Sequence, residues 1–559
     1  MGQYADDTYL MITGNDVSVM REKIQQTLDQ LQIWLKKRNL TLSTNKSTAM
    51  IFTKKHSPII PCFKINNEPI QWKQEIKYLG VTLDKNLSWT KHTEIMCSKA
   101  LKGVNILRSL CRTWWGAHPK TLLIIYKSLI RPYLDFGSII YGGCSRKILN
   151  KLDTVQHQAL RAVGSFMKST PINILMAECG ETSLETRRKS LAQKFICKSF
   201  RFENNTVLTE IENIAFFRGY WNNKYTPAFI KAYYLVKTKS RWIYGSSHLP
   251  FFELNYIDHA HKVNCHISEI QKYSKTAPAD FNNLKNQEYI GYDHIYTDAS
   301  VNLETKSVGI GIYSDSLNIE YSANLPGHWS IFSAEMMAIC KAINIIIKKK
   351  RKFCVIFSDS LSAITCLREW KMSSNTNIIS INVKKYLHKA ALLDLYIVCV
   401  WIPSHSGIIG NERADILAKK GASEKNKTSK YRGDQNDVRN ILQRSLENQW
   451  IKEWNEVGVS KGKTYTHMRN RDKKFTPIRK CFLFDSEFDK YSVSTMMRLR
   501  SNHCLSPEHL FKIKVYDSPN CQCAEYGDIV HILFNCQLNR PCVRQISFPS
   551  LGTRGEIVI

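Results

Sequence analysis

The chain has 559 residues, too many for one hydrophobic core, and its 43% hydrophobic and 23% charged content excludes a disordered polymer. No uninterrupted apolar run reaches the roughly 20 residues of a membrane-spanning helix, so no membrane partner is expected. Lys and Arg outnumber Asp and Glu by 79 to 48, a net charge of +31, which points to a polyanion, nucleic acid first, over a basic surface kept for solubility.

In chain order, YADDTYLMI (4–12) reads as strand around the doublet Asp6 and Asp7. Val17, Met20, Ile24, Leu28, Leu31 and Leu35 then recur at helical spacing, and Lys36, Lys37 and Arg38 close that helix as cations suit a helix C-terminus. AMIF (49–52) and IKYLGVTLD (76–84) read as strands. From 89 to 240 the pattern is mainly helical and basic, with Trp114, Trp115, Tyr126 and Tyr133 interleaved. Residues 241–290 lose periodicity and read as a linker. Strands and helices alternate over 291–423; a polar linker and an amphipathic helix (Val438, Ile441, Leu442, Leu446, Trp450, Trp454) fill 424–480. A basic Cys/His element spans 481–540, and 541–559 stays unassigned. The run KKKRK (348–352) reads as a nuclear localisation signal, as hybrid-binding charge, or as cations closing the preceding helix. The 17 cysteines lack the spacing of a secreted scaffold, and no apolar leader precedes Asp6, so an intracellular place, nucleus or cytoplasm, is expected.

Chemistry concentrates in 291–423. HIYTDAS (294–300) reads as a strand ending at Asp298, and VGIGIYS (308–314) as a second strand of a meander. FSAEMMAICKAINIII (332–347) reads as a helix with Glu335 in its first turn. FCVIFSDS (353–360) is a strand buried on both faces that ends at Asp359, with Ser360 placed to cap the next helix. LYIVCVWIP (395–403) is another buried strand; HSGIIGNERAD (405–415) is a loop, then a helix capped by Asn411 with Asp415 in its first turn. Each acid alone is an ordinary turn or cap residue. Four converging carboxylates repel unless cations neutralise them, and hard oxygen ligands select Mg²⁺, with Mn²⁺ as a substitute.

YTDAS, the Ala-Glu of SAEMMA, SDS and HSGIIGNERAD, in this order, resemble the motifs of the type 1 ribonuclease H domain. The resemblance implies that Asp298, Glu335, Asp359 and Asp415 hold two Mg²⁺ ions and that His405 assists proton transfer or product departure. It also implies that Ser360 and Asn411 contact nucleic acid or support the acids, and that the substrate is the RNA strand of an RNA–DNA hybrid. Ala299 stands where the family often has Gly.

QYADDT, the 17–38 helix, NKSTAMIF (45–52) and YLGVTLD (78–84) resemble the last palm segments of a reverse transcriptase of the Jockey and I-element group of non-LTR retrotransposons. The implied organisation is a truncated palm over 1–88 and a helical thumb and connection over 89–240, before the ribonuclease H-like mixed five-stranded sheet with flanking helices, in all a multidomain α/β chain. That family's YADD pair works with an earlier Asp, so Asp6 and Asp7 are expected to be relics, with an intact retroelement polymerase as a conceivable partner. Cys521, Cys523, His531 and Cys536 read C-x-C then H-x₄-C, which suits tetrahedral Zn²⁺, and the same group ends in a similar element. His503, Cys504, His509 and Cys542 stay open as substitutes for one ligand. The expected function is hybrid-directed endonucleolytic hydrolysis, the alternative a non-catalytic nucleic-acid-binding fragment.

Overall fold

The computed structural model describes residues 1–53, 60–112, 115–202, 204–216, 226–245, 263–272, 274–302, 307–369, 376–423, 431–463, 465–466 and 476–539. Trp114, Cys542 and the 541–559 tail lie outside them. They divide into two units, Met1–Arg187 with Ile451–Ile559, and Arg188–Trp450. No helix of the described residues is long and apolar enough to cross a membrane.

The first unit opens with a hairpin, β1 Gly2–Tyr4 against β2 Asp7–Tyr9, turned through Ala5 at φ 51°. Asp16 caps helix Val17–Lys36, its carboxylate accepting from the Ser18 and Val19 amides. Leu28 of that helix packs with Phe63, Ile65 and Ile70. Short pairs follow: β3 Thr48–Ala49 with β6 Gln71–Trp72, and β4 Lys64–Ile65 with β5 Glu68–Pro69. β7 Glu75–Tyr78 and β8 Val81–Asp84 form a hairpin whose turn, Leu79–Gly80, takes positive φ at both residues. The expected mainly helical region comes next. In helix Thr90–Leu110, Met96, Ala100, Val104 and Leu107 are buried at three- and four-residue spacing. Helix Ile172–Cys179 carries Glu178, fully buried, which accepts from the Tyr465 hydroxyl at 2.7 Å and from Arg500 Nε at 3.1 Å. This ties the C-terminal segment to the helices of the same unit.

The second unit is built on a six-stranded mixed sheet in the order β12-β11-β10-β13-β14-β9. Its strands are β9 Asn264–Ile267, β10 Asp293–Asn302, β11 Ser307–Ser314, β12 Ile319–Leu325, β13 Phe353–Ser358 and β14 Tyr396–Trp401. β10, β11 and β12 form an antiparallel meander; β13, β14 and β9 run parallel to β10. Four of these strands, β10, β11, β13 and β14, were expected by residue, and the resemblance implied a fifth, the place that β12 fills. The sixth, β9, and helix Ala277–Glu288 lie in the stretch the sequence presents as a linker. β9 is four residues with one polar side chain at each alternate position, too short for periodicity to mark, and it is defined by pairing Cys265 opposite Cys399.

Alternation along the central strands explains the layers. Cys354 and Ile356 of β13 face a core with helices Ile331–Lys349 and Ile378–Leu392, while Val355 and Phe357 face Phe281, Tyr296 and Ala414 on the other side. Helix Ile409–Ser423 lies directly on β11, where a Cβ on Gly311 would sit 2.1 Å from the Ala414 carbonyl oxygen and one on Gly309 2.2 Å from that of Ala418. These glycines permit the backbone approach that carries Asp415 to the sheet.

Candidate active site and Cys/His centre

The β10–β13 ladder ends at Thr297 opposite Ser358, so Asp298 and Asp359 stand side by side one residue beyond it. Asp298 lies inside β10, which continues to Asn302 as the arm of the β10–β11 hairpin, and not at the strand end that the sequence suggests. Past the ladder, the Ala299 amide donates to Glu335 Oε1 at 3.2 Å, which draws the 331–349 helix over Asp298. Glu335 is the fifth residue of that helix, in its second turn and not the first, because Ser330 caps one residue earlier than the pattern implied. Carboxylate oxygens of Asp298, Glu335 and Asp359 lie within 4.8 Å of one another.

Asp415 stands near enough for its charge to act on Asp298, and it is paired with Lys419 Nζ at 2.7 Å. It is the seventh residue of its helix, again in the second turn, since the helix begins at Ile409 before Asn411. Asn411 therefore does not cap. It is buried, and its Nδ2 donates to Asp359 Oδ2 at 3.3 Å. Ser360 holds the N-cap position of helix Leu361–Arg368, but its hydroxyl makes no cap bond and meets Ser362 Oγ at 3.3 Å. His405 is exposed in the loop after β14, at φ 49°, near enough for its charge to act on Asp359. Sequence reasoning missed two supports. The Trp401 indole Nε1 donates to the Asp359 carbonyl at 3.0 Å, and Lys419 sits four residues after Asp415, a spacing that marks a helical ion pair.

Electrostatics follow from this crowding. Burial, then the charges of Asp359 and Asp415, push Asp298 up to about 8. Burial and the neighbouring Asp298 and Asp359 hold Glu335 well above the usual carboxylate range. Asp359 is raised by burial, opposed by the Asn411 hydrogen bond and by His405. Glu335 Oε2 is buried without a hydrogen-bond partner. An orphaned carboxylate oxygen facing two more acids fits a hard divalent cation.

Residues 292–423 match the family model described as RNase H, and residues 1–83 match that of the reverse transcriptase (RNA-dependent DNA polymerase). The chain carries a ribonuclease H domain. Over 203 residues it is 27% identical to the RNA-directed DNA polymerase from mobile element jockey of Drosophila melanogaster, a match covering 34% of this chain and 21% of that protein. It is 27% identical over 199 residues to the retrovirus-related Pol polyprotein from type-1 retrotransposable element R1 of Bradysia coprophila, covering 34% and 20%. Ribonuclease H1 of Rattus norvegicus is 31% identical over 144 residues, 23% of this chain and 50% of that protein. The chain thus spans about a fifth of the length of its mobile-element relatives. With both matches and these relatives, it is of the retrotransposon polyprotein kind with reverse transcriptase and ribonuclease H domains. The ribonuclease H domain contains all four acids of the site, with His405, Ser360 and Asn411; Asp6 and Asp7 are exposed on the β1–β2 hairpin within the reverse-transcriptase match.

Far along the chain, Cys521, Cys523, His531 and Cys536 offer ligand atoms within 4.8 Å of one another. Cys521 and Cys523 occupy the tip of a turn closed by the Cys521 amide on the Glu525 carbonyl at 2.7 Å. His531 starts the helical turn His531–Asn535, whose first amide bonds Asp528, and Cys536 ends it. The Cys521 and Cys536 sulfurs are 3.7 Å apart; the sulfur–sulfur edge of a tetrahedral Zn²⁺ site is about 3.8 Å for a bond near 2.3 Å. His531 Nδ1 lies 2.9 Å from the Glu525 carboxylate, leaving Nε2 turned to Cys523, the orientation a ligating histidine needs. His503 and His509 do not join them; both are hydrogen-bonded to Ser169, at 3.1 and 2.9 Å.

Proposed function

We propose that this chain hydrolyses the RNA strand of RNA–DNA hybrids endonucleolytically at Asp298, Glu335, Asp359 and Asp415. The observation that carries the proposal is the convergence of three carboxylates within 4.8 Å, one with a buried oxygen lacking any partner. Two Mg²⁺ ions held by these acids, or Mn²⁺ in their place, would supply an activated water and stabilise the leaving oxygen of a phosphodiester. The residues themselves do the positioning. Asn411 and the Trp401 indole fix Asp359 from its side chain and its carbonyl, and the Ala299 amide fixes Glu335. Lys419 orients Asp415, and His405, exposed and free of the sheet, is placed to move a proton at the edge of the site.

Cys521, Cys523, His531 and Cys536 hold Zn²⁺ in the same reading, with nucleic acid as the partner of the basic surroundings. Asp6 and Asp7 meet no third metal ligand among the described residues, and this chain by itself extends no primer. Its test is template-dependent nucleotide addition: activity lost in Asp6→Ala would contradict it.

The ribonuclease assignment is tested with a labelled RNA–DNA hybrid in Mg²⁺. Internal cuts in the RNA strand are expected, with duplex DNA intact and EDTA stopping the reaction. Tight hybrid binding without any cleavage would favour the binding-fragment alternative.

A further inference from the structure

Outside both centres, the first unit holds a cavity of about 440 Å³ lined by Arg108, Arg161, Lys168 and Arg498 and by no carboxylate. None of the described ion pairs involves any of the four. Neutral oxygens hold three of them in place. Arg108 donates to Gln158 Oε1 at 3.0 Å, Arg161 Nη2 to the Thr170 carbonyl at 3.1 Å, and Arg498 Nε to the Ser165 carbonyl at 2.9 Å. Each guanidinium is thereby aimed while its charge stays uncompensated. Arg161 Nε is moreover buried without an acceptor. Four unpaired cations around one concavity repel one another, so an anion bound there relieves them.

We propose that this cavity seats the phosphodiester backbone of a single nucleic-acid strand. Arg108 and Lys168 are exposed and Arg161 and Arg498 half-buried, which suits successive phosphates better than one compact phosphate group. Phe166 adds an apolar wall for a sugar or base. Its volume is on the scale of a nucleotide. The site uses none of the ribonuclease acids and stands independently of the hydrolysis proposed above.

The test measures binding of a fluorescent single-stranded RNA oligonucleotide to the full chain without chelator, across a salt series. Arg108→Ala/Lys168→Ala changes two exposed residues and leaves the melting midpoint unchanged. Affinity at low salt is expected to fall by at least about tenfold. The slope of log affinity against log salt should shrink by about 1.4, roughly 0.7 for each lost phosphate contact on a single strand. Unchanged affinity and slope would overturn the proposal. In a second arm, inorganic pyrophosphate should displace the oligonucleotide only weakly. Pyrophosphate binding as tight as the oligonucleotide's, and lost in the variant, would identify a small-phosphate pocket and equally overturn it.

Discussion

Asp359 lies one residue past its strand and is gripped by Asn411 and Trp401. Replacing it with Asn removes a metal-binding charge while keeping the shape. Asp359→Asn should abolish cleavage and leave hybrid affinity equal or higher, because affinity comes from Lys and Arg contacts to phosphate; gel-shift and cleavage assays on the same preparation check this. His405→Ala should slow turnover by about 10²- to 10⁴-fold without erasing it, read from single-turnover rates, since that is the usual worth of general acid–base assistance. Asp298 gives a pH signature. Its folded-state value near 8 is above the unfolded carboxylate's, so folding holds its proton. The associated stability is complete below about pH 4 and drains away as pH rises through about 8. Thermal unfolding in EDTA should show the midpoint dropping over that window, with Mg²⁺ flattening the decline; a midpoint rising toward pH 8 in EDTA would contradict the crowded-acid geometry. That Asp298, Glu335 and Asp359 come together was legible in the sequence because motif order constrains them. For Asn411 the resemblance implied contact with nucleic acid or support of the acids, while the residue pattern alone made it a cap; only the true helix start at Ile409 turns it toward Asp359.

Two elements bring the acids together by close contact, and both tolerate little. The 409–423 helix rests on Gly309 and Gly311 of β11. Gly311→Ala would drive a Cβ to 2.1 Å from the Ala414 carbonyl, so the helix must lift and take Asp415 with it. A loss of about 1–3 kcal/mol in denaturant unfolding is expected, with a fall in cleavage beyond what the lost stability explains. The glycines were visible in VGIGIYS as strand residues, but what they make room for was not, since the helix that covers them arrives about a hundred residues later. β9 was invisible for a related reason: four residues acquire strand identity only from β14.

At the scale of the molecule, composition gave nucleic acid as the partner class and motif order gave the succession of segments, while the cohesion of the first unit rests on contacts between distant parts of the chain. Glu178 binds Tyr465 and Arg500 across about three hundred residues, in a site with almost no solvent access. Glu178→Ala leaves the Arg500 guanidinium buried without its carboxylate, and should cost about 3–5 kcal/mol in the unit's unfolding free energy. Urea unfolding followed by tryptophan fluorescence, to which the buried Trp454 of the same unit contributes, measures it. No local pattern around Glu178 announces this, because the partners are chosen by the fold.

The most direct test of the four-acid site is single-turnover cleavage of an end-labelled RNA–DNA hybrid by the full chain as Mg²⁺ is titrated, beside Asp298→Asn, Glu335→Gln, Asp359→Asn and Asp415→Asn. The expected result is metal-dependent internal cuts in the RNA strand leaving 5′-phosphate and 3′-hydroxyl ends, lost in the Asp298, Glu335 and Asp359 variants and strongly reduced in that of Asp415. Cleavage that persists undiminished in Asp359→Asn, or that needs no divalent cation, would contradict the assignment of the site.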